Sequence, residues 1–249
     1  MCTDTGTDEK ILYGIGIGTG DPGLITVKGV ELLRSVKTVF VPAGKKTNDS
    51  LAGKILESAG VEKSKHVKLV FPMSKDRKEL EAGWSETADT VAASLKENCR
   101  GAFVTLGDPS VYSTWIYLRR ALQAAHSDIS CRVVPGIQTM NAAAGMLGVP
   151  LVEGKERLAL VPTPDTMDEL DPLFPLFDTI VFYKVGERLD PLCKFITDKG
   201  CGDRAYFVQR AGLEGEVTAA GISAIPKEAS GYLSTMIVKT GRGAVEGAE

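Results

Sequence analysis

Three short segments in the first 140 residues combine glycine with aspartate or proline in ways that suit a turn holding a ligand. The first is Gly14-Ile-Gly-Ile-Gly-Thr-Gly-Asp-Pro-Gly23. Within it, Gly18-x-Gly20-x-x-Gly23 has the spacing of the dinucleotide fingerprint, where glycines permit positive φ and let a ligand approach the backbone. A NAD-binding unit also needs an acid about 20 residues on, at the end of its second strand. Here that stretch reads Phe40-Val41-Pro42-Ala43, without an acid, and Pro22 sits inside the turn. NAD is disfavoured. The residues alone leave a turn for another ligand, or a tight turn with none. The second segment is Gly107-Asp108-Pro109-Ser110-Val111-Tyr112. Pro109 fixes φ and lacks an N–H, which suits a helix start. Asp108 either caps that helix or serves a ligand. The third is Val133-Val-Pro-Gly-Ile-Gln-Thr-Met-Asn141.

Such turns need rigid elements to hold them, and the hydrophobic pattern supplies alternating strands and helices. Strands are expected over 11–17, 38–41 (stopped by Pro42), 66–71, 102–106 and 131–134. Between them run helices over 24–36, where Leu24, Val27, Val30 and Leu33 recur, and from Asn48-Asp49-Ser50 to about Ala59. Leu80, Trp84, Ala88, Val91 and Leu95 stripe a third helix, and Val111, Trp115, Leu118 and Leu122 a fourth, with both tryptophans in the core. A small-residue helix follows over 138–147. Five strands alternating with helices imply a parallel sheet with right-handed crossovers. Beyond it, strands over 157–161, 179–183, 205–208 and 233–239 and a helix over 190–199 point to a second α/β domain with a mixed sheet. The expected domains are 11–141 and 142–249. In an open α/β sheet, ligands bind beyond the carboxyl ends of the strands, and all three special turns lie there in the first domain.

Composition narrows the function classes. The 249 residues are 43% hydrophobic and 24% charged, ordinary for a globular protein. Asp and Glu number 32 against 29 Lys and Arg, a net charge of −3, which argues against nucleic acid as the main partner. No run approaches the ~18–20 apolar residues of a membrane span. The polar, acidic residues 1–10 read as a tail rather than a signal peptide. Five scattered cysteines without a C-x-x-C suggest reduced thiols and a cytoplasmic protein. His66 reads as a strand residue and His126 as a helix end, and two histidines without a Cys/His cluster make no zinc site. Gly44-Lys45-Lys46-Thr47 lacks the upstream glycine of a phosphate-binding loop, and no G-x-S-x-G nucleophile elbow occurs.

The trio Gly16-Ile-Gly-Thr-Gly-Asp-Pro-Gly23, Gly107-Asp-Pro-Ser-Val-Tyr-Ser-Thr114 and Val133-Val-Pro-Gly-Ile137, in this order and spacing, resembles the tetrapyrrole (corrin/porphyrin) methyltransferases over residues 13–239. Residues 107–118 and Gln209-Arg-Ala-Gly-Leu213 are similar to the branch that methylates C20 of precorrin-2 or cobalt-factor II in cobalamin biosynthesis. The resemblance implies two α/β domains, S-adenosyl-L-methionine in the cleft between them with S-adenosyl-L-homocysteine as product, an anionic tetrapyrrole substrate, no metal, and usually a homodimer. Matching by motif, the implied cofactor residues are Thr19 (where many members have Pro), Leu106, Gly107, Asp108 and Val111 of the second loop, Gln138 and Thr139 after Pro-Gly-Ile, Lys184 (often Met) and Ala211. Asp108 and Tyr112 are the candidate acceptors for the proton that methyl transfer displaces. Two alternatives stay open: another tetrapyrrole methylase, acting on uroporphyrinogen or a different corrin carbon, and a non-catalytic binding module, to which only Thr19 points.

A substrate rich in carboxylates approaching a net-negative protein calls for positive charge focused at the site. The candidates are Lys184, Arg188, Arg210, Arg119 and Arg120. The last two are adjacent and point ~100° apart on a helix, so at most one faces a pocket.

Overall fold

A computed structural model describes residues 9–44, 50–72, 74 and 76–241. The chain forms two compact units, Met1–Gln138 and Thr139–Glu249. In the first, elements alternate as β1 (Lys10–Gly16), α1 (Val27–Ser35), β2 (Thr38–Ala43), α2 (Leu51–Ser58), β3 (His66–Val70), α3 (Arg77–Asn98), β4 (Arg100–Thr105), α4 (Trp115–Ala125) and β5 (Ile129–Val134). The second holds α5 (Thr139–Leu147), β6 (Leu158–Pro162), β7 (Thr179–Tyr183), α6 (Leu189–Asp198), β8 (Ala205–Gln209), β9 (Val217–Ala220) and β10 (Ser234–Lys239).

The first sheet has the order β3-β2-β4-β1-β5 with every pair parallel. From β1 the chain crosses to β2 on one side, whereas from β4 it crosses to β5 on the other. Right-handed crossovers put those two connections on opposite faces of the sheet. One face is sealed by α3 and α4, whose Val91, Leu95, Leu118 and Leu122 pack with Leu12, Phe40 and Phe103. Trp115 lies across β1, where a Cβ on Gly14 would meet its indole at 2.4 Å.

The second sheet, β6-β7-β10-β8-β9, is mixed as expected: β6 and β7 are parallel, and β10 runs antiparallel to both β7 and β8. Ile180, Phe182, Phe207 and Met236 pack with Leu192 and Ile196 of α6. Val181, Val208 and Ile237 pack with Ala143 and Ala144 of α5. The four-residue β9 carries no pattern long enough to mark it in the sequence.

Several local expectations change. β2 continues through Pro42: its pairing with β4 stops at Phe40, but its pairing with β3 runs on through Pro42 and Ala43. The helix expected from Leu24 starts at Val27, since Thr26 is extended and its hydroxyl accepts from Gly29 N. Val27 is consequently 75% exposed rather than part of the apolar face. Ser50 caps α2, while Asn48 and Asp49 lie outside the described residues. Trp115 is buried, but Trp84 is half-buried and stacks on the exposed Tyr117 at 4.5 Å. Cys99 is disulfide-bonded, contrary to the expectation of reduced thiols, while Cys131, Cys193 and Cys201 are free. Spacing along a chain does not reveal which distant thiols the fold brings together.

His66 opens β3 with Nε2 buried and unpartnered. Burial lowers its pKa, Glu57 opposes that and Lys63 reinforces it. The unfolded chain therefore binds this proton first, so stability falls as the pH drops below the unfolded value of ~6.5 and levels off below the folded one. Melting temperatures between pH 7.5 and 5 should show this decline weakened in His66→Gln. An equal decline in both proteins would exclude His66 as its source.

Candidate functional site

The three turns foreseen in the first unit meet backbone to backbone. Ile17 N donates to Thr105 O at 2.9 Å, continuing the β1–β4 pairing, and Gly107 N donates to Gly18 O at 2.7 Å in an isolated antiparallel bridge between the loops. Gly136, from the loop after β5, closes the junction. A Cβ on Gly16 would lie 2.4 Å from Gly107 O and 2.6 Å from Gly136 Cα. One on Gly136 would lie 2.2 Å from Gly107 O. Gly18 and Gly107 also hold φ of 72° and 65°, a region that disfavours any side chain. The glycines are thus needed by the loops themselves, apart from any ligand.

Asp108 fastens this junction. Its carboxylate is buried, and Oδ2 accepts from Gly136 N at 2.8 Å. Oδ1 accepts from Ser110 N at 2.8 Å and from Ser110 Oγ. Burial pushes its pKa up, but the bonds from Ser110 Oγ, Gly136 N and Ser110 N outweigh that and hold it below the usual carboxylate range. A carboxylate so employed is a weak proton acceptor and a strong tie. It does not cap the following helix, nor does Pro109 open one. The helix begins at Trp115, and Ser113 Oγ accepts from Trp115 N at 3.0 Å while donating to Thr105 Oγ1. Val111, expected on the helix, lies in the preceding loop, where its N–H donates to Asp108 O. Tyr112 follows at φ 49°, 43% exposed.

Two expected cofactor residues in this unit carry unmet hydrogen-bonding capacity. Thr19 Oγ1 and Gln138 Oε1 are buried without a partner. Such a group costs ~1–3 kcal/mol unless something satisfies it. Gln138 borders the junction, its Cα 3.9 Å from where a Gly107 Cβ would stand. Leu106 is half-buried between β4 and Gly107. A ligand hydrogen-bonding to these two oxygens would satisfy them.

In the second unit, left-handed backbone gathers at one rim. Because β10 is antiparallel to β7 and β8, its start lies beside their carboxyl ends. There Lys184, Arg210 and Leu233 hold φ of 54°, 56° and 52°. Non-glycine residues in this region cost ~1–3 kcal/mol each and cluster at ligand sites. Lys184 is exposed just after β7, and Ala211 is buried among Val181, Val208 and Ile237. Thr139 opens α5, whose Met140 N donates to Tyr183 Oη at 2.8 Å.

The candidate carboxylate binders separate. Arg188 is paired with Asp165, and Arg210 Nε donates to Glu214 O at 2.7 Å. Arg119 and Arg120 are both exposed on α4. Arg119 lies near enough to Cys131 to oppose the upward push of burial on that thiol. Tyr232 bears no local motif, yet it is 67% exposed on the segment that leads into β10 at the same rim. Only the pairing of β10 with β7 and β8 brings it there. None of the expected site residues lines the cavity of about 780 Å³ between β3 and α3. Among the described residues no group of His, Cys, Asp and Glu is placed to hold a metal ion.

The model of the tetrapyrrole (corrin/porphyrin) methylase family matches residues 11–223. The chain belongs to that family. Among methylase relatives, it is 35% identical to the probable cobalt-precorrin-2 C(20)-methyltransferase of Methanocaldococcus jannaschii, over 92% of this chain and 96% of that protein. It is 32% identical to the cobalt-precorrin-2 C(20)-methyltransferase of Salmonella typhimurium, over 82% and 85%. The methylase fold recurs in a crystal structure of a cobalt precorrin-4 methyltransferase, with TM-score 0.70, 21% identity and coverage of 92% of this chain and 95% of that one. It recurs in a uroporphyrin-III C-methyl transferase from Thermus thermophilus complexed with S-adenosyl homocysteine, with TM-score 0.61, 20% identity and coverage of 91% and 96%.

Proposed function

We propose that this chain is an S-adenosyl-L-methionine-dependent C-methyltransferase acting at C20 of precorrin-2, or of its cobalt-containing counterpart, in cobalamin biosynthesis. The names of its full-length relatives support the substrate. The observation that carries the reading is the pair of buried, unpartnered oxygens, Thr19 Oγ1 and Gln138 Oε1, beside the loop junction. The proposed cofactor residues are Thr19, Leu106, Gly107, Asp108, Val111, Gln138, Thr139, Lys184 and Ala211. The working form is proposed to be a cytoplasmic homodimer. Among the described residues no helix is long and apolar enough to cross a membrane.

When bound, the cofactor supplies a methyl group already activated on a sulfonium. The chain's main task is orientation, which can account for ~7–11 kcal/mol of a barrier. The junction provides rigid backbone for it, and Asp108 keeps the loops after β4 and β5 in register. A group accepting the displaced proton adds a factor of ~10²–10⁴. With Asp108 committed to its ties and a neutral phenol unable to take up a proton, the displaced proton is proposed to pass to solvent, and the phenols of Tyr112 and Tyr232 to hydrogen-bond the macrocycle.

S-adenosylhomocysteine at 100 times its dissociation constant should stabilise the fold by ~2.7 kcal/mol, while NAD should leave the melting temperature unchanged. Labelled methyl should pass to precorrin-2 and not to uroporphyrinogen. Transfer to uroporphyrinogen alone would reassign the substrate, and a melting shift with NAD alone would remove the reading. Arg119→Gln or Arg120→Gln, one of the two, should raise the apparent KM for the tetrapyrrole and flatten its dependence on ionic strength. Unchanged kinetics in both would leave the carboxylates to backbone amides and hydroxyls.

A further inference from the structure

The side-chain amide of Gln209, the last residue of β8, is spent entirely on one residue of another segment. Its Nε2 donates to Ser230 Oγ at 3.1 Å, and its Oε1 accepts from Ser230 N at 3.0 Å. The residues after Ser230 are held as closely. Gly186 N donates to Gly231 O at 2.9 Å, Ser234 Oγ donates to the same oxygen at 2.8 Å, and Arg210 N donates to Leu233 O at 2.9 Å. Gly231 has no room for a side chain, since a Cβ there would lie 1.9 Å from Gly186 O. Leu233 is kept left-handed. Between these ties stands Tyr232, 67% exposed. Ordering such a segment costs conformational entropy, and burial of its largest side chain does not offset that cost. A rigid mount for an exposed phenol makes sense if the phenol has to meet something at a set position.

We propose that Gln209 is a positioning residue: through Ser230 it sets where Tyr232 stands against the tetrapyrrole. The inference rests on the methyltransferase reading. It also gives a task to Gln209 itself, which opens the Gln209-Arg-Ala-Gly-Leu213 segment and is not among the proposed cofactor residues. Both bonds to Ser230 need an acceptor or donor at the end of a side chain of this length. Alanine removes both, whereas glutamate keeps an acceptor for Ser230 N and can accept from Ser230 Oγ as well.

The test is steady-state methyl transfer to precorrin-2 by the full chain, with S-adenosylhomocysteine affinity and melting temperature measured alongside. Gln209→Ala should lower kcat by roughly 10- to 100-fold, the scale set by a misplacement of about 1 Å, with cofactor affinity and melting temperature near wild type. Gln209→Glu should recover most of the loss. In a Tyr232→Ala background, Gln209→Ala should cost less than about twofold, because the two changes act through one group. A wild-type kcat and KM in Gln209→Ala would overturn the inference. So would losses that multiply in the double variant, which would separate Gln209 from Tyr232. An inactive wild-type chain would instead overturn the methyltransferase reading, and this inference with it.

Discussion

Gly136→Ala is expected to abolish S-adenosylhomocysteine binding and to destabilise the first unit. The new Cβ would stand 2.2 Å from Gly107 O, 2.6 Å from Gly16 Cα and 2.7 Å from Gly16 C. All three neighbours are backbone, so no rotamer change relieves the clash. The loops after β1, β4 and β5 must separate, and packed interiors resist such displacement at a cost of ~1–3 kcal/mol or more. Separation also moves Gly107 and Gln138, so binding should weaken by more than the stability loss alone would cause. Gly145→Ala is the control. It lies within α5 with nothing within 4 Å of the added Cβ, and alanine there should gain up to ~1 kcal/mol from helix propensity. Melting curves with and without S-adenosylhomocysteine decide the matter. A ligand-induced shift of wild-type size in Gly136→Ala would mean that the three-loop junction is not part of the cofactor site.

Asp108→Asn is the second large effect. The amide keeps the shape and one acceptor, but it loses the charge and turns an NH₂ toward a donor, either Gly136 N or the pair from Ser110. Hydrogen bonds to a charged group contribute ~1.5–3 kcal/mol, and an unsatisfied buried donor adds its own penalty. The folded pKa of Asp108 lies below its unfolded value. Its contribution is therefore fully present above the unfolded pKa of ~3.9 and is lost as the pH falls through the folded one. Wild type should exceed Asp108→Asn in stability near neutral pH, and the gap should narrow as the pH falls from about 4 toward 2. Cofactor affinity in the variant should drop as well, since the β4 and β5 loops are no longer tied. Equal stability at neutral pH, or a gap that widens in acid, would show that the carboxylate does not fasten the loops in this way.

Much of the architecture is legible in the residues. Valine- and isoleucine-rich strands such as Thr38–Ala43, buried on both faces, signal a parallel sheet, and the Leu80–Leu95 stripe signals the long helix that covers it. The three glycine-bearing turns stand out because backbone geometry restricts which residue can sit there. These are local constraints, readable wherever a residue's own conformation is at stake. Tertiary structure decided the rest, since partners far apart in the chain carry no local mark. Gly-Asp-Pro reads as a helix start, yet Asp108 reaches Gly136, 28 residues on, and the helix begins only at Trp115, whose N–H donates to Ser113 Oγ. Pro42 reads as a stop, yet pairing with β3 carries the strand through it to Ala43. Arg188 and Arg210 read as available charge, yet Asp165 and Glu214 O already hold them. Tyr232 has no motif around it, and its place at the rim follows from the antiparallel pairing of β10 with β7 and β8. Backbone conformation belongs to each residue's own chemistry, whereas the other end of a hydrogen bond is chosen by the fold.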